Sequence, residues 1–389
     1  MKVMHIITRM IVGGAQENTL YNCLDLTDHH GDDVILVTGP SLGAEGNLLQ
    51  QSQTSRLRVH EVDSLIRAIH PWHDWKAFWN LKRLIRDWQP DVVHTHSAKA
   101  GLLGRYAAWS MGVPCVIHTV HGAPFHPFQN PLSRRFFIWC ERWAAKRCHH
   151  LISVADAMTD LMVQAGVAPA KQFTTIYSGM DVEPFLNSSI HRERMRAKLG
   201  FTADDIVFGK IARLFHLKGH QYVVAAAVET VASVPTAKFL FVGDGLLMES
   251  IKDKIRGTSL EGRFVFAGLV PPAEIPAYIS AMDVLVHASL REGLARALPQ
   301  ALISGKPAIS FDVDGAREVV INGQTGCLVG AKDVPALTRA MIELGCNAEM
   351  RASYGQEGAR RFTDQFRHES MTRRIRELYQ KIIERSEKI

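Results

Sequence analysis

The stretch Ser289-Leu290-Arg291-Glu292-Gly293-Leu294-Ala295-Arg296-Ala297-Leu298-Pro299-Gln300-Ala301-Leu302-Ile303-Ser304-Gly305-Lys306-Pro307 reads as an acidic loop with a glycine, then a helix, then a Gly-Lys-Pro break. Short apolar runs flank it at 284–287 and 308–311, so the whole reads strand, loop, helix, strand. The spacing predicts a helix beginning near Leu294. Glu292 then stands at its entrance, where a carboxylate can accept hydrogen bonds from hydroxyls, while free N–H groups near Gly293 and Leu294 can bind phosphate. Gln300, eight residues after Glu292, falls about two turns along on a similar face. Pro299 inside that helix would remove one backbone bond and bend it. Taken alone, Glu292 is equally a charge that suits a helix N-terminus.

The same alternation runs along all 389 residues and is the pattern of parallel α/β sheets. In the first half strands are expected at 3–8, 33–38, 57–62, 92–96, 115–119, 151–154 and 173–177. A helix over 75–88 carries Trp75, Phe78, Trp79, Leu81, Leu84, Ile85 and Trp88 near helical spacing and stops at Gln89-Pro90. Another, over 100–111, ends at Gly112. The pattern restarts with strands at 206–212, 238–242, 263–267, 284–287, 308–311 and 327–329, and helices beginning near His220, Leu246, Glu274, Leu294 and Val334. Between the halves, Ser178-Gly179-Met180-Asp181-Val182-Glu183-Pro184 has the glycine and proline of a hinge. Two doubly wound sheets fit this better than one, giving domains over 1–183 and 184–370. A charged amphipathic helix over 371–389 follows, which could pack back on the first domain. Ligands of open α/β sheets bind outside the carboxyl ends of the strands, so function is expected in the loops that follow them.

Apolar residues make up 47% of the chain and charged residues 22%, which excludes disorder or low complexity as its main state. No run approaches the roughly 18 apolar residues of a spanning helix. The opening Met1-Lys2-Val3-Met4-His5-Ile6-Ile7-Thr8-Arg9 reads as a buried strand rather than a leader, and the six cysteines form no CxxC pair or zinc spacing. These features predict a cytoplasmic location. The net charge of +6 suits a soluble surface, an acidic membrane or an anionic small molecule. No zinc finger, RNP-like strand or lysine-rich arm supports nucleic acid, and none is expected as a partner. Thirteen of the eighteen histidines precede residue 151, which suggests that the first half lines a polar cleft.

Several loops carry candidate chemistry. Gly13-Gly14 follows the first strand and opens a helix, letting backbone approach an anion, although a tight turn explains the pair equally. Arg213 and Lys218 lie five residues apart in Arg213-Leu214-Phe215-His216-Leu217-Lys218-Gly219, where a diphosphate could be gripped from two sides. Gly243-Asp244-Gly245 ends another strand and lacks the third glycine of a dinucleotide fingerprint. Asp312-Val313-Asp314 has the spacing of a metal-holding acidic pair, but two cations and a helix terminus can neutralise a leaving diphosphate without metal. The segment 131–147 interleaves aromatic and basic residues. It fits either a helix whose aromatics are core or one lying in an anionic bilayer interface.

Taken in order, these motifs resemble the retaining glycosyltransferases of glycosyltransferase family 4. The resemblance rests on Gly13-Gly14, His94-Thr95-His96-Ser97-Ala98-Lys99-Ala100-Gly101, His118-Thr119-Val120-His121-Gly122 and Arg213…Lys218-Gly219. It continues through Gly243-Asp244-Gly245, Glu292-Gly293-Leu294 and Gly315-Ala316-Arg317-Glu318-Val319-Val320, covering nearly the whole chain. It implies the GT-B fold, two Rossmann-like domains facing across a cleft, and a hexosyltransferase of surface-polysaccharide type. It implies a nucleotide-sugar donor, with UDP the first guess, and a saccharide or lipid-linked saccharide acceptor. No cofactor and no metal are implied, and many relatives work at the inner face of the membrane, which favours the interfacial reading of 131–147.

Carried over residue by residue, the resemblance puts Arg213 and Lys218 on the donor diphosphate and Glu292 beside the donor sugar and its phosphate. Gly293, Leu294, Gly243 and Gly245 fall in the donor-binding loops. His121 would face the transferred sugar, and Gly14 would close over it. Gly268-Leu269-Val270 resembles the loop whose backbone meets the base. In one place the chain departs from the family pattern: the second glutamate of its EX7E motif is here Gln300. An amide can still accept one hydrogen bond from a ribose hydroxyl and donate another. Three rivals remain: a Rossmann oxidoreductase, a two-lobed sugar-binding protein, and a nucleotide-sugar epimerase of the same architecture. The epimerase is the strongest of these on fold alone, and the ordered motif set disfavours it.

Overall fold

Val3, Met4, His5, Ile6 and Ile7 are all buried, because both faces of the first strand are covered, as parallel sheets require. A computed structural model describes residues 1–41, 46–50, 56–127 and 129–386. The chain forms two units, one made of Met1–Met180 with Gln365–Ile389, the other of Asp181–Asp364. The stretches 181–183 and 365–370 thus fall outside the sequence-based boundaries at 183 and 370.

Unit 1 contains strands β1 (Lys2–Arg9), β2 (Asp33–Gly39), β3 (Arg58–Glu61), β4 (Val92–His96), β5 (Cys115–Val120), β6 (His150–Ser153) and β7 (Phe173–Thr175). They pair in parallel in the order β3-β2-β1-β4-β5-β6-β7. Helices α1 (Gly14–Asp28), α2 (Pro71–Trp88), α3 (Ala98–Ser110), α4 (Pro131–Ala145) and α5 (Asp156–Gln164) connect them. Unit 2 begins with α6 (Glu183–Leu186) and α7 (Arg192–Leu199). It continues as β8 (Ile206–Ile211), α8 (His220–Ser233), β9 (Ala237–Val242), α9 (Met248–Ile255), β10 (Phe264–Gly268) and α10 (Ile275–Ala281). Then come β11 (Val284–His287), α11 (Ala297–Ile303), β12 (Ala308–Phe311), β13 (Gly326–Val329), α12 (Val334–Cys346) and α13 (Ala348–Phe362). Its sheet runs β10-β9-β8-β11-β12-β13, again parallel throughout. The order reverses between β1 and β4 in unit 1 and between β8 and β11 in unit 2.

The last helix, α14 (His368–Ser386), returns to unit 1; residues 387–389 of the expected helix lie outside the described residues. Met371, Ile375, Tyr379 and Ile382 recur at helical spacing and enter the same core as Val3, Ile7, Leu20 and Leu26. Polar contacts fix its register. His368 and Thr372 bond Asp25 at 2.9 Å, and Arg376 Nε donates to Asp32 at 2.8 Å.

Three sequence expectations change. α2 starts at Pro71, capped by His70, and buries only Ala77, Leu81 and Ile85; Trp75 and Trp79 of its supposed core stripe are exposed. α11 starts at Ala297 rather than near Leu294, so Pro299 lies in its first turn, where a missing N–H costs nothing. Four of the early histidines are buried in the sheet, and one of them, His118, also reaches the wall of a small cavity. His5, His94, His96 and His118 are core side chains of β1, β4 and β5.

Burial pushes the His5 ring down to about 3 and holds His94, His96 and His118 well below the usual range, so all four fold neutral. Unfolded, each would charge below about pH 6.5. The unfolded state then binds more protons, and stability is lost as pH falls from 6.5. Urea denaturation should show stability falling as pH drops below about 6.5, by up to about 1.4 kcal/mol per pH unit for each of these rings. His94→Gln should flatten the profile by one such share, and a flat wild-type profile would refute the account.

Candidate active site

In unit 2 the polar side chains gather at the carboxyl ends of β8 and β11. β8 leads into Arg213 and a short turn, His216–Lys218, that ends at Gly219 with φ 67°. A β-carbon on Gly219 would lie 1.8 Å from the Ala288 carbonyl oxygen, so only glycine lets this loop close onto the end of β11. The closure brings Lys218 Nζ to 2.5 Å from Glu292 Oε1. His287 Nε2, on the last residue of β11, stands 3.5 Å from the same oxygen. Burial would raise the Glu292 carboxyl, but His287 and Lys218 outweigh it and hold it at about 2. The Glu292 amide donates to Asp314 Oδ2 at 2.6 Å, which fixes the loop from below.

The remaining donor-side candidates surround this cluster or fall beside it. Arg213 is exposed, its guanidinium 5.3 Å from the Phe215 ring. Gly243 and Gly245 pass so close to the Ala212 and Leu214 carbonyls that β-carbons would sit 2.2 and 2.6 Å from those oxygens. Gly243 N donates to Gly268 O at 2.9 Å, and Leu269 beyond it is 78% exposed, with Val270 half-buried. Gly293 and Leu294 lie in the loop, ahead of α11, and are not its first amides; Gly293 O instead accepts from Gly315 N at 3.1 Å. The amides expected at a helix start there are thus loop amides instead. Gln300 is half-buried on α11, while Glu292 is on the loop, so the two do not share a helix face. Asp312 forms a two-pronged pair with Arg317 at 2.9 and 2.7 Å and Asp314 holds the Glu292 amide, so this acidic pair is already engaged.

In unit 1, His121 follows β5. Its Nε2 lies 3.1 Å from His96 Nδ1, and His96 Nε2 lies 3.0 Å from His5 Nδ1. His94 is bonded on both sides, to Tyr379 at 2.5 Å and Thr119 at 2.7 Å. His5, His94 and His96 are close enough to share an ion, yet both nitrogens of His94 and of His96 already bond neighbours. Gly14 is the first residue of α1, preceded by Gly13 in extended geometry. His121 lines a small cavity with Ser97, His118 and Gly122. A larger one of about 510 Å³ shares Ser97, Ala98, Pro124 and Glu141 with it. Its walls are polar at one side, with Arg9, Arg67, Gln16 and the Lys99–Asp74 pair, and apolar at the other, with Ile69, Leu102, Leu103, Phe136 and Phe137. Leu132, Phe136 and Trp139 of α4 are exposed, with Trp139 at 60%. The helix over 131–145 therefore carries apolar side chains on its outer face rather than only in the core.

Sequence reasoning passed over Lys210, His287, Asp314 as a loop clamp, and the buried Arg105–Glu141 pair at 2.9 Å. His287 had a signal, a polar residue closing an apolar strand just before the acidic loop.

Comparisons with known proteins agree with this arrangement. Residues 14–178 match the family Glycosyl transferase 4-like domain, and residues 191–361 match Glycosyl transferases group 1. The chain is 30% identical to the UDP-Gal:alpha-D-GlcNAc-diphosphoundecaprenol alpha-1,3-galactosyltransferase of Escherichia coli, over 88% of this chain and 87% of that protein. It is also 30% identical to a 2-deoxystreptamine N-acetyl-D-glucosaminyltransferase of Streptomyces fradiae, covering 87% and 84%. The crystal structure of Anabaena Alr3699/HepE in complex with UDP has a TM-score of 0.84 at 20% identity, covering 98% of this chain and all of that one. The chain belongs to the glycosyltransferases and has the GT-B fold.

Gly219→Ala tests the loop closure. The added methyl meets backbone in a conformation that favours glycine, so a loss of about 1–3 kcal/mol in urea denaturation of unit 2 is expected. An unchanged stability would mean that the loop closes by other means.

Proposed function

We propose that this glycosyltransferase retains configuration and moves a hexose from a UDP-sugar to a lipid-linked saccharide in surface-glycan assembly. The observation that carries the reading is the Lys218–Glu292–His287 cluster at the point where the order of the unit 2 sheet reverses. Lys218 and Arg213 would bind the leaving diphosphate, and Glu292 and His121 would orient the sugar. Retaining transfer passes through an oxocarbenium-like centre, with the departing phosphate taking the acceptor's proton. Such a site needs no separate nucleophile and no closely spaced pair of carboxylates as in retaining glycosidases. Both aspartates of the Asp312-Val313-Asp314 motif are already engaged, which supports a metal-independent reaction. The names of the relatives support a UDP-linked donor and a diphospholipid acceptor.

The test is release of nucleoside diphosphate from a panel of UDP- and GDP-sugars, with and without a membrane-lipid extract and EDTA. Release from one UDP-sugar only with lipid, and unaffected by EDTA, is expected. A free sugar nucleotide inverted without cleavage would instead point to an epimerase. Arg213→Ala and Lys218→Ala should each lower kcat/KM by about 10²–10³, the usual loss for a group on developing charge. A change within about threefold would remove them from the diphosphate.

No helix among the described residues is long and apolar enough to cross a membrane. Peripheral contact is supported by a different feature, the outward Leu132, Phe136 and Trp139 of α4 among Arg134, Arg135 and Arg142. α2 adds exposed Trp72, Trp75 and Trp79. Flotation with vesicles rich in anionic lipid at low salt should carry the wild type and lose most of a Phe136→Ala/Trp139→Ala double variant. Equal flotation of the two, or none of either, would assign these side chains elsewhere.

A further inference from the structure

Behind the Lys218–Glu292 pair lies a group of polar side chains that the proposed reaction does not use. Lys210, on β8, is fully buried, and its ammonium has no hydrogen-bond partner. His220, the first residue of α8, is likewise buried and has neither ring nitrogen bonded. The Ser289 hydroxyl, just after β11, is a third buried group without a partner. All three lie at or near the carboxyl ends of the central strands β8 and β11 or at the start of α8, where open α/β sheets receive anions. Buried polar groups are almost always hydrogen-bonded, and an unpaired buried charge is costlier still. Three such groups near one sheet edge lack the partner that an anion would supply.

We propose that Lys210 is a further cation for the donor diphosphate, taking up a proton from water on binding wherever the free protein leaves it uncharged. The inference deepens the donor reading above and rests on it. The charged and titratable groups around Lys210 are Glu292 and Lys218 from the two loops, His287 from β11 and His220 from α8. β9 brings only Phe241 opposite it. Burial is the largest influence on Lys210 and lowers it to about 7, with Glu292 pulling it up and Lys218 pushing it down. Glu292 is already paired with Lys218 and cannot fully compensate a second ammonium. A diphosphate adds negative charge at this edge and favours the charged lysine.

The sign follows from linkage. Below about pH 6 Lys210 is protonated in both states and binding moves no proton. Between about pH 7 and the raised value in the complex, the complex holds one proton more, so donor affinity falls by up to about tenfold per pH unit as pH rises.

The experiment is calorimetric titration of the full-length protein with UDP-galactose, whose diphosphate diester does not titrate between pH 6 and 8. Buffers of different ionisation enthalpy give the number of protons exchanged. Wild type should take up between about half a proton and one at pH 8, and close to none at pH 6. Lys210→Met should remove the uptake at pH 8 and weaken binding about tenfold to a hundredfold at pH 6, where the wild-type lysine is charged. Replacing a buried unpaired lysine by methionine should leave thermal stability equal or higher above pH 7, so the variant is expected to fold. Lys210→Arg, charged throughout, should bind with no uptake and no fall in affinity up to pH 8. No uptake by the wild type, or the same uptake in Lys210→Met, overturns the inference. Arg213→Ala separates it from the reading beneath it. That variant should bind more weakly with the proton count unchanged, whereas unaltered affinity overturns the donor site and this inference with it.

Discussion

Every described strand pairing in both sheets is parallel, and the rest of the molecule follows from that. A parallel strand cannot be reached by a tight turn, so each is followed by a crossover that starts at the same edge of the sheet. All the strand-following loops of a unit therefore gather at one edge, and the place where strand order reverses leaves a gap between diverging loops. Residues far apart in sequence meet there for topological reasons alone. Lys218 and Glu292 are 74 residues apart and meet in the loops after β8 and β11, while His5 and His96 are 91 apart and meet across the adjacent strands β1 and β4.

The two reversal points solve the problem of polar groups in a packed interior differently. Unit 1 uses neutral imidazoles, where each ring can donate at one nitrogen and accept at the other, so the row links up without net charge and leaves His5 Nε2 as a buried nitrogen without a partner. Unit 2 uses full charges, which must be paired or left costly. One reversal point is thus electrically quiet, while the other gathers opposite charges around Glu292.

The strands were readable from the sequence because parallel, doubly covered strands are continuous apolar runs bounded by loop residues; 92–96, 284–287 and 308–311 coincide with the strands observed. Helix limits were less so. Trp75 and Trp79 have the periodicity of a core stripe, and period alone does not tell a stripe facing the sheet from one facing outward. The start of α11 was misplaced because Gly315 and Asp314, more than twenty residues on, hold Gly293 and Glu292 in a loop conformation that local propensity does not report. Lys218 and Glu292 were legible as charges next to glycines in strand-following loops, and Arg213 as a second cation in the same loop as Lys218. Lys210 was not, since a lysine inside an apolar run carries no mark of whether it reaches water.

The return of α14 to unit 1 bears on how the chain is made. Asp25, Asp32 and His94 each receive a partner from residues 368, 372, 376 and 379. A ribosome delivers the whole of unit 2 before that helix emerges, so unit 2 can complete itself while unit 1 waits with a core face uncovered. The first half of the gene product is thus the last to finish, and the interval in which it is vulnerable to chaperone capture or clumping is set by the time needed to synthesise everything between.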